Sequence, residues 1–203
     1  MSITDYIFDF DCTITYRNFA YFWWKPDTVF KELYPEINNN IINDLSSKFN
    51  NNQLDTRLDK QLFNNIIFGS TNRINELDNL FDKLSKKGNL IISSRGNADK
   101  IYECLQLNKL GKYFTRYTIY GTETNKTLLI KNRLDSTHTV FYIDDNHEEH
   151  LELNPYTKLI YTDSNFKMYF YLRNRSRYIF CYSLIKNNNG LDTDLMIKID
   201  QFI

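Results

Sequence analysis

Short apolar runs that end in polar residues constrain the fold of this chain more than any other feature. Residues Ile3 to Phe10 form the first run, and Asn89 to Ser93 and Thr139 to Ile143 form two later ones. Their apolar residues come largely in succession, which is typical of strands covered on both faces, as in a parallel sheet. Amphipathic segments lie between the runs, so the pattern predicts parallel βαβ units and an α/β fold.

Helical periodicity fills the chain between the first run and the second. Residues Ser70 to Lys87 carry one apolar face and stop at Gly88, a typical helix end. The preceding stretch also repeats apolar residues at helical spacing and contains no convincing strand. We therefore predict a core made of residues 1–15 and 70–203, with a small helical insert at residues 16–69.

The remaining segments up to Asp163 continue the alternation of helices and strands. In a helix predicted at residues 124–134, the side chains expected to face inward are Leu128, Leu129 and Leu134. Beyond Asp163 the pattern is less clear. Before Asp163 we predict helices at residues 97–110, 124–134 and 146–151 and strands at 117–120 and 158–161. After Asp163 we predict a strand at 177–186 and a helix at 193–202.

The composition gives no reason to expect attraction to a polyanion or to a membrane. The 203 residues include 25 Lys and Arg and 25 Asp and Glu, for a formal net charge of +0. No stretch approaches the roughly 18 apolar residues that span a bilayer, and the N-terminus does not resemble a signal peptide. The cysteines, Cys12, Cys104 and Cys181, are scattered and odd in number, which favours a reducing compartment. We expect a cytoplasmic protein with no membrane partner, and nucleic acid is disfavoured as a partner.

Acidic side chains follow two of the predicted strands. Asp9 and Asp11 end the first run, and Asp144 and Asp145 follow the run that ends at Ile143. The carboxyl ends of parallel strands meet at one edge of the sheet, where ligands bind. Carboxylates this close repel one another unless a cation lies between them, and Mg²⁺ prefers such oxygen ligands. The alternative is that these aspartates only cap loops or helices.

Four motifs in this order resemble those of the haloacid dehalogenase-like (HAD) hydrolases. The first is Asp9-Phe10-Asp11-Cys12-Thr13, which is similar to the family's Asp-x-Asp-x-Thr signature. The other three motifs of the family resemble Ser93 after an apolar strand, Lys126 at a helix start, and the pair Asp144-Asp145. The resemblance covers roughly residues 2–163. It implies a Rossmann-like (HAD-like) parallel sheet flanked by helices, with the insert at residues 16–69 as a cap on the catalytic core.

The resemblance also implies roles in phosphoryl transfer. Asp9 would be the nucleophile and Asp11 the general acid and base. Ser93 would bind phosphate oxygens, and Lys126 would neutralise their charge. Substrate binding is assigned to Ser94, Arg95 and Thr13, with Thr13 expected mainly to brace its loop. The metal, Mg²⁺, would be held by Asp9, Asp11, Asp144 and Asp145.

Several assignments stay open at this point. Ser94 competes with Ser93 for the phosphate, and Lys112 and Lys131 compete with Lys126. The aromatic residues around Trp23-Trp24 either pack the insert against the core or contact the leaving group of the substrate. A response-regulator receiver domain uses similar residues, but there the adjacent acidic pair follows the first strand.

These motifs predict a Mg²⁺-dependent phosphatase that hydrolyses a phosphate monoester through an aspartyl-phosphate. The expected substrate is a small molecule such as a nucleotide or a sugar phosphate, because an insert after the first motif often serves as a cap in the family. One alternative is a phosphatase that acts on nucleic-acid ends or on a phosphoprotein. The other is a non-catalytic protein of the same fold that binds or regulates a partner.

Overall fold

The computed structural model describes residues 3–135, 138–144, 158–162 and 168–171. Within these ranges, six strands form one sheet in the order β3-β2-β1-β4-β5-β6. Strands β1 to β5 run parallel, whereas β6 is antiparallel to β5. The predicted α/β class with a parallel sheet is confirmed. The strands are β1 (Thr4–Phe8), β2 (Asn89–Ser93), β3 (Ile119–Tyr120), β4 (Thr139–Asp144), β5 (Lys158–Thr162) and β6 (Met168–Tyr171).

The helices of the described residues mostly begin at a side chain that caps their first turn. Asn18, Asn38 and Asn97 each accept a hydrogen bond from a backbone N–H at a helix start, as do Thr56 and Ser70. Such caps satisfy amides that have no partner within the helix. The helices are α1 (Phe19–Trp24), α2 (Lys31–Leu33), α3 (Asn39–Asn50), α4 (Arg57–Phe68), α5 (Thr71–Ser85), α6 (Ala98–Gln106) and α7 (Lys126–Asp135).

Apolar side chains cover both faces of the central strands. Tyr6 and Phe8 of β1 join a large cluster that includes buried residues of α3 to α6, while Ile7 points into a smaller cluster on the other face. Ile130 of α7 belongs to the smaller cluster. Because side chains alternate along a strand, β1 is buried on both sides, which explains its unbroken apolar run.

Phenylalanine rings build the interior of the helices between β1 and α5. Phe63 lies 5.5 Å from both Phe22 and Phe49, measured between ring centroids. Phe19 lies 5.7 Å from Phe10, which comes two residues after the end of β1. Offset and edge-to-face contacts of this kind add to the free energy gained by burying the rings. The apolar interior of these helices is therefore continuous with the interior beneath the sheet.

Some sequence predictions differ from the structure in detail. The strand predicted from residue 117 begins only at Ile119, and Tyr117 is 89% exposed in a short 3₁₀ turn. Leu128, predicted to face inward, is 57% exposed, and Ile130 is buried in its place. The helix predicted to reach residue 110 stops at Gln106. Strand β6 was not predicted, since four residues carry little periodic signal. The predicted segments at residues 146–151, 177–186 and 193–202 lie outside the described residues.

In the part of the chain that the structure describes, no helix combines the length and the apolar character needed to cross a bilayer.

Candidate active site

The order of the strands determines where a ligand can bind. From β1 the chain moves to β2 and β3 on one side, and later returns to β4 and β5 on the other. Ligands of such open sheets bind outside the carboxyl ends of the strands, at the point where the order reverses. Asp9 lies at this point, because its backbone N–H donates to the carbonyl of Ile143 on β4 at 2.8 Å.

The period of the strands explains why three predicted residues lie on one face. Ile7, Ile91 and Tyr142 all point into the smaller apolar cluster that α7 covers. Side chains two residues apart share a face of a strand, so Asp9, Ser93 and Asp144 follow on that same side. Helix α7 packs on this face too, and its first residue is Lys126.

Lys126 joins the two acidic motifs. Its Nζ donates to Asp9 Oδ1 at 2.7 Å and to Asp144 Oδ2 at 3.0 Å. The backbone of Asn125 and its side chain accept hydrogen bonds from the next turn, which positions the start of α7. Lys112 pairs instead with Asp78 at the surface, at 2.7 Å. Lys126 is thus the lysine that the fold brings to the aspartates, and the side chain of Lys131 lies outside the described residues.

The surroundings of Asp9 disfavour the charged form of its carboxyl group. Burial raises its pKa well above the ordinary value, repulsion from Asp144 raises it further, and Lys126 opposes both effects. A smaller repulsion comes from Asp11. One ammonium group therefore serves several nearby carboxylates, so an additional cation would stabilise their charged forms.

A tight loop between β1 and α1 carries Asp11. The loop spans Phe10–Ile14 and is closed by a 3.0 Å hydrogen bond from the N–H of Thr15 to the carbonyl of Phe10. Cys12 has φ 61°, a conformation that most residues with a side chain disfavour. The Asp11 carboxylate leaves the loop toward α1 and accepts a hydrogen bond from the N–H of Ala20 at 3.0 Å. Burial raises the pKa of Asp11 to about 6.

Arg73 of α5 holds this loop from below and was not predicted from the sequence. Its guanidinium donates to the carbonyls of Ile14 at 2.5 Å and Thr13 at 3.0 Å. Thr13 itself is buried and does not line the cavity at the site. Its assignment to substrate binding therefore does not agree with its position, and the expectation that it braces the loop stays a prediction.

The two serines at the end of β2 occupy different environments. Ser93 is fully buried, and its hydroxyl has no hydrogen-bond partner within the described residues. Ser94 lines the cavity, and its Oγ accepts a hydrogen bond from the N–H of Gly96 at 3.1 Å. Arg95 also lines the cavity. The structure thus places Ser94 at the cavity wall and Ser93 one residue behind it, beside the strand that bears Asp9.

The donor set of this site fits a hard divalent cation. The carboxylates of Asp9 and Asp144 approach a common cationic group, and burial together with repulsion from Asp144 raises the pKa of Asp9, so a bound cation would favour its charged form. Among the residues that the structure describes, no three His, Cys, Asp or Glu side chains form a ready-made metal cluster. Of the other two predicted ligands, Asp11 lines the cavity at the site and Asp145 lies outside the described residues.

A cavity of about 610 Å³ opens above these residues. Asp9, Asp11, Lys126 and Asp144 line one end of it. Loop residues 94–97 form a second part of the lining. Helix α1 supplies a third with Ala20 and three aromatic residues, Tyr21, Trp23 and Trp24. Pockets of roughly 300–1,000 Å³ hold ligands of the size of a drug molecule, so the cavity exceeds the needs of a phosphate group alone.

Tyr142 is a second residue of the site that was not predicted. Its ring is buried, and its hydroxyl donates a short hydrogen bond to Asp144 Oδ2. The two residues are two positions apart on β4, so they share a face. That spacing was visible in the sequence, but an aromatic residue within an apolar strand is ordinarily a core residue.

Two of the solved structures that match this chain come from Francisella tularensis and Bacillus subtilis. No family model matches the chain, and no curated protein does. A phosphoserine phosphohydrolase-like protein from Francisella tularensis is 16% identical, covers 78% of this chain and 87% of its own, and superposes with a TM-score of 0.42. The HAD-hydrolase YfnB from Bacillus subtilis, described as bound to magnesium, is 14% identical, with coverages of 72% and 79% and a TM-score of 0.37.

The first of these proteins is named as phosphoserine phosphohydrolase-like and the second as a HAD-hydrolase.

Proposed function

We propose that this chain is a Mg²⁺-dependent phosphatase that hydrolyses a phosphate monoester through an aspartyl-phosphate on Asp9. The observation that carries the proposal is the shared contact of Lys126 with Asp9 and Asp144, at one end of a cavity that Asp11 also lines. Phosphoryl transfer needs a nucleophile, cationic groups around the phosphate and an acid for the leaving oxygen. This cluster offers a residue for each requirement.

In the first step, a carboxylate oxygen of Asp9 attacks phosphorus and the bond to the ester oxygen breaks. The leaving oxygen takes a proton from Asp11 and departs as an alcohol. The hydrogen bond from the N–H of Ala20 holds the Asp11 carboxyl at the cavity wall. Because burial raises the pKa of Asp11 to about 6, a protonated fraction is available near neutral pH.

In the second step, water attacks the phosphorus of the aspartyl-phosphate. The bond between phosphorus and the Asp9 oxygen breaks, and inorganic phosphate leaves. Asp11, now deprotonated, accepts the proton of the attacking water, which returns both aspartates to their starting states. A pKa near the working pH suits a group that must donate in one step and accept in the next.

The remaining residues bind the phosphate and balance its charge. Lys126 would act as a point charge on the phosphate oxygens, and Ser94, which lines the cavity, would donate its hydroxyl to them. Asp9, Asp144 and the backbone carbonyl of Asp11 would hold Mg²⁺, with Asp145 as a further ligand. A bound Mg²⁺ would offset the repulsion between the carboxylates and the substrate.

The insert at residues 16–69 is proposed to act as a cap that selects small substrates. Helix α1 of this segment lines the cavity with three aromatic side chains. The two ends of the segment are held to each other, since the N–H of Tyr16 donates to the carbonyl of Ile67 at 2.8 Å. A cap held in this way narrows the space around the leaving group, which favours a small phosphate monoester over a folded macromolecule.

Turnover of p-nitrophenyl phosphate with Mg²⁺ tests the proposal. We expect release of p-nitrophenol by the wild-type protein and a loss of at least 1,000-fold for Asp9→Asn, since the amide is no nucleophile (an order-of-magnitude expectation for loss of a covalent catalyst). Asp27→Asn is the matched control, because Asp27 is exposed and does not line the cavity. Equal turnover by Asp9→Asn would refute the role of Asp9. No turnover of any phosphate monoester by the wild type would favour a non-catalytic binding protein.

A further inference from the structure

Both tryptophans of the chain line the cavity, and their position restricts what the substrate can be. The sequence contains two tryptophans, Trp23 and Trp24, and each lines the cavity that Asp9 and Lys126 also line. Trp24 is 62% exposed although it is large and apolar. Other rings of the same segment, such as Phe19 and Phe22, are fully buried in its interior. Tyr21 and Trp23 line the cavity and also pack against this interior, so Trp24 is the most exposed of the rings of α1 that line the cavity.

Trp24 lies about one helical turn beyond the residue of α1 that binds the acid. Asp11 is hydrogen-bonded to the N–H of Ala20, in the first turn of the helix. Trp24 follows four residues later, which corresponds to roughly 6 Å along a helix axis. A ring attached directly to the ester oxygen would lie beside Asp11. A ring that reaches Trp24 must be separated from that oxygen by a spacer of about the size of a sugar.

The charges at the rim favour a single nucleotide over a polynucleotide. Lys25 Nζ lies 4.4 Å from the centroid of the Trp24 ring, so a cation covers one face of the indole. A single base would stack on the opposite face of this indole. The chain has a formal net charge of +0, whereas binding of a polynucleotide backbone depends on an excess of Lys and Arg.

We infer that the substrate is a nucleoside monophosphate whose base stacks on the tryptophans of α1 while its phosphate lies at Asp9 and Lys126. This inference rests on the proposed function for the position of the phosphate. Every base has an aromatic face, so the stack selects a nucleotide without selecting a particular base. The cavity of about 610 Å³ has room for the base and the sugar together.

Kinetics on a substrate panel and tryptophan fluorescence test the inference together. The panel contains adenosine 5′- and 3′-monophosphate, ribose 5-phosphate, p-nitrophenyl phosphate and a short oligonucleotide with a terminal phosphate. Losing one base–aromatic stack weakens binding by about 5- to 150-fold. We expect Trp24→Leu to lower kcat/KM for the nucleotides by that factor relative to kcat/KM for ribose 5-phosphate. Tyr117→Leu, which removes an exposed aromatic residue that does not line the cavity, should leave the ratio unchanged.

Fluorescence separates this inference from the proposed function. Adenosine monophosphate should quench the emission of the Asp9→Asn variant saturably, while ribose 5-phosphate and inorganic phosphate should not, and Trp24→Leu in that background should weaken the quenching. If no substrate is turned over, the proposed function fails, and the quenching alone decides the inference. Turnover without a nucleotide preference, absence of saturable quenching, or tenfold tighter binding of the oligonucleotide would each overturn the inference.

Discussion

Arg73 offers a sharp test of how the nucleophile loop is held in place. Its guanidinium is buried beneath the loop and donates to the carbonyls of Ile14 at 2.5 Å and Thr13 at 3.0 Å. Longer contacts of 3.4 Å reach the carbonyls of Thr15 and Phe68. Arg73→Met keeps a long apolar stem but removes all of these donors. In Arg73→Met, the buried carbonyls of Ile14 and Thr13 therefore lose the hydrogen bonds that the guanidinium donates to them.

The magnitude follows from the two shorter hydrogen bonds. A buried polar group that loses its partner costs about 1–3 kcal/mol, so two carbonyls give about 2–6 kcal/mol. Burial lowers the pKa of Arg73 to about 9, which shows that the buried cation carries a desolvation cost of its own. Relief of that cost offsets part of the loss. We expect the free energy of unfolding to fall by about 3 kcal/mol, which corresponds to a decrease of about 6–12 °C in Tm for a chain of this size.

Urea denaturation and thermal melts of Arg73→Met would measure this change. Arg57→Met is the matched control, because Arg57 is exposed at the start of α4, and its free energy of unfolding should stay within about 0.5 kcal/mol of the wild type. The reasoning is refuted if Arg73→Met unfolds within about 1 kcal/mol of the wild type, a change no larger than that of a typical substitution.

Three further predictions concern the loop and the acidic motifs. Because Asp11 must carry a proton in the first step and its pKa is raised to about 6, kcat/KM should fall as the pH rises above about 6, and Asp11→Asn should remove that limb from the pH profile. Tyr142→Phe should raise the Mg²⁺ concentration for half-maximal activity by about 10- to 100-fold, because Asp144 loses the hydroxyl that orients it. Tyr6→Phe, on the opposite face of the sheet, should leave this concentration unchanged. Cys12→Gly should unfold within about 1 kcal/mol of the wild type, and Cys12→Val should lose about 2 kcal/mol or more, because φ 61° excludes a β-branched residue; equal stability in urea would contradict this.

The parts of the site that follow from local sequence were predictable. Asp9 and Asp11 lie directly after a strand whose apolar run is unbroken, so the edge of the sheet at which they emerge follows from the fold class. Lys126 was separable from Lys112 because it opens a helix before an apolar stretch. Asp9 and Asp144 come close to each other because parallel strands end at the same edge of the sheet.

Other features depend on contacts that sequence periodicity does not encode. Arg73 bonds to Ile14 from 59 residues away, and an arginine on an amphipathic helix ordinarily faces solvent. The choice between Ser93 and Ser94 depends on how the chain leaves β2, since neighbouring residues at a strand end point in opposite directions. Leu128 was misplaced because the orientation of α7 is determined by Lys126 and Ile130, which direct Leu128 toward solvent.

Chemical identification of the intermediate tests the central proposal most directly. The wild-type protein with Mg²⁺ and a phosphate monoester that it turns over would be quenched in acid during turnover, and its peptides analysed by mass spectrometry. The proposal predicts a phosphoryl group on the peptide that contains Asp9, sensitive to hydroxylamine as an acyl phosphate, and no such group in Asp9→Asn. Turnover with the phosphoryl group on another residue, or with Asp9→Asn labelled as strongly as the wild type, would contradict it.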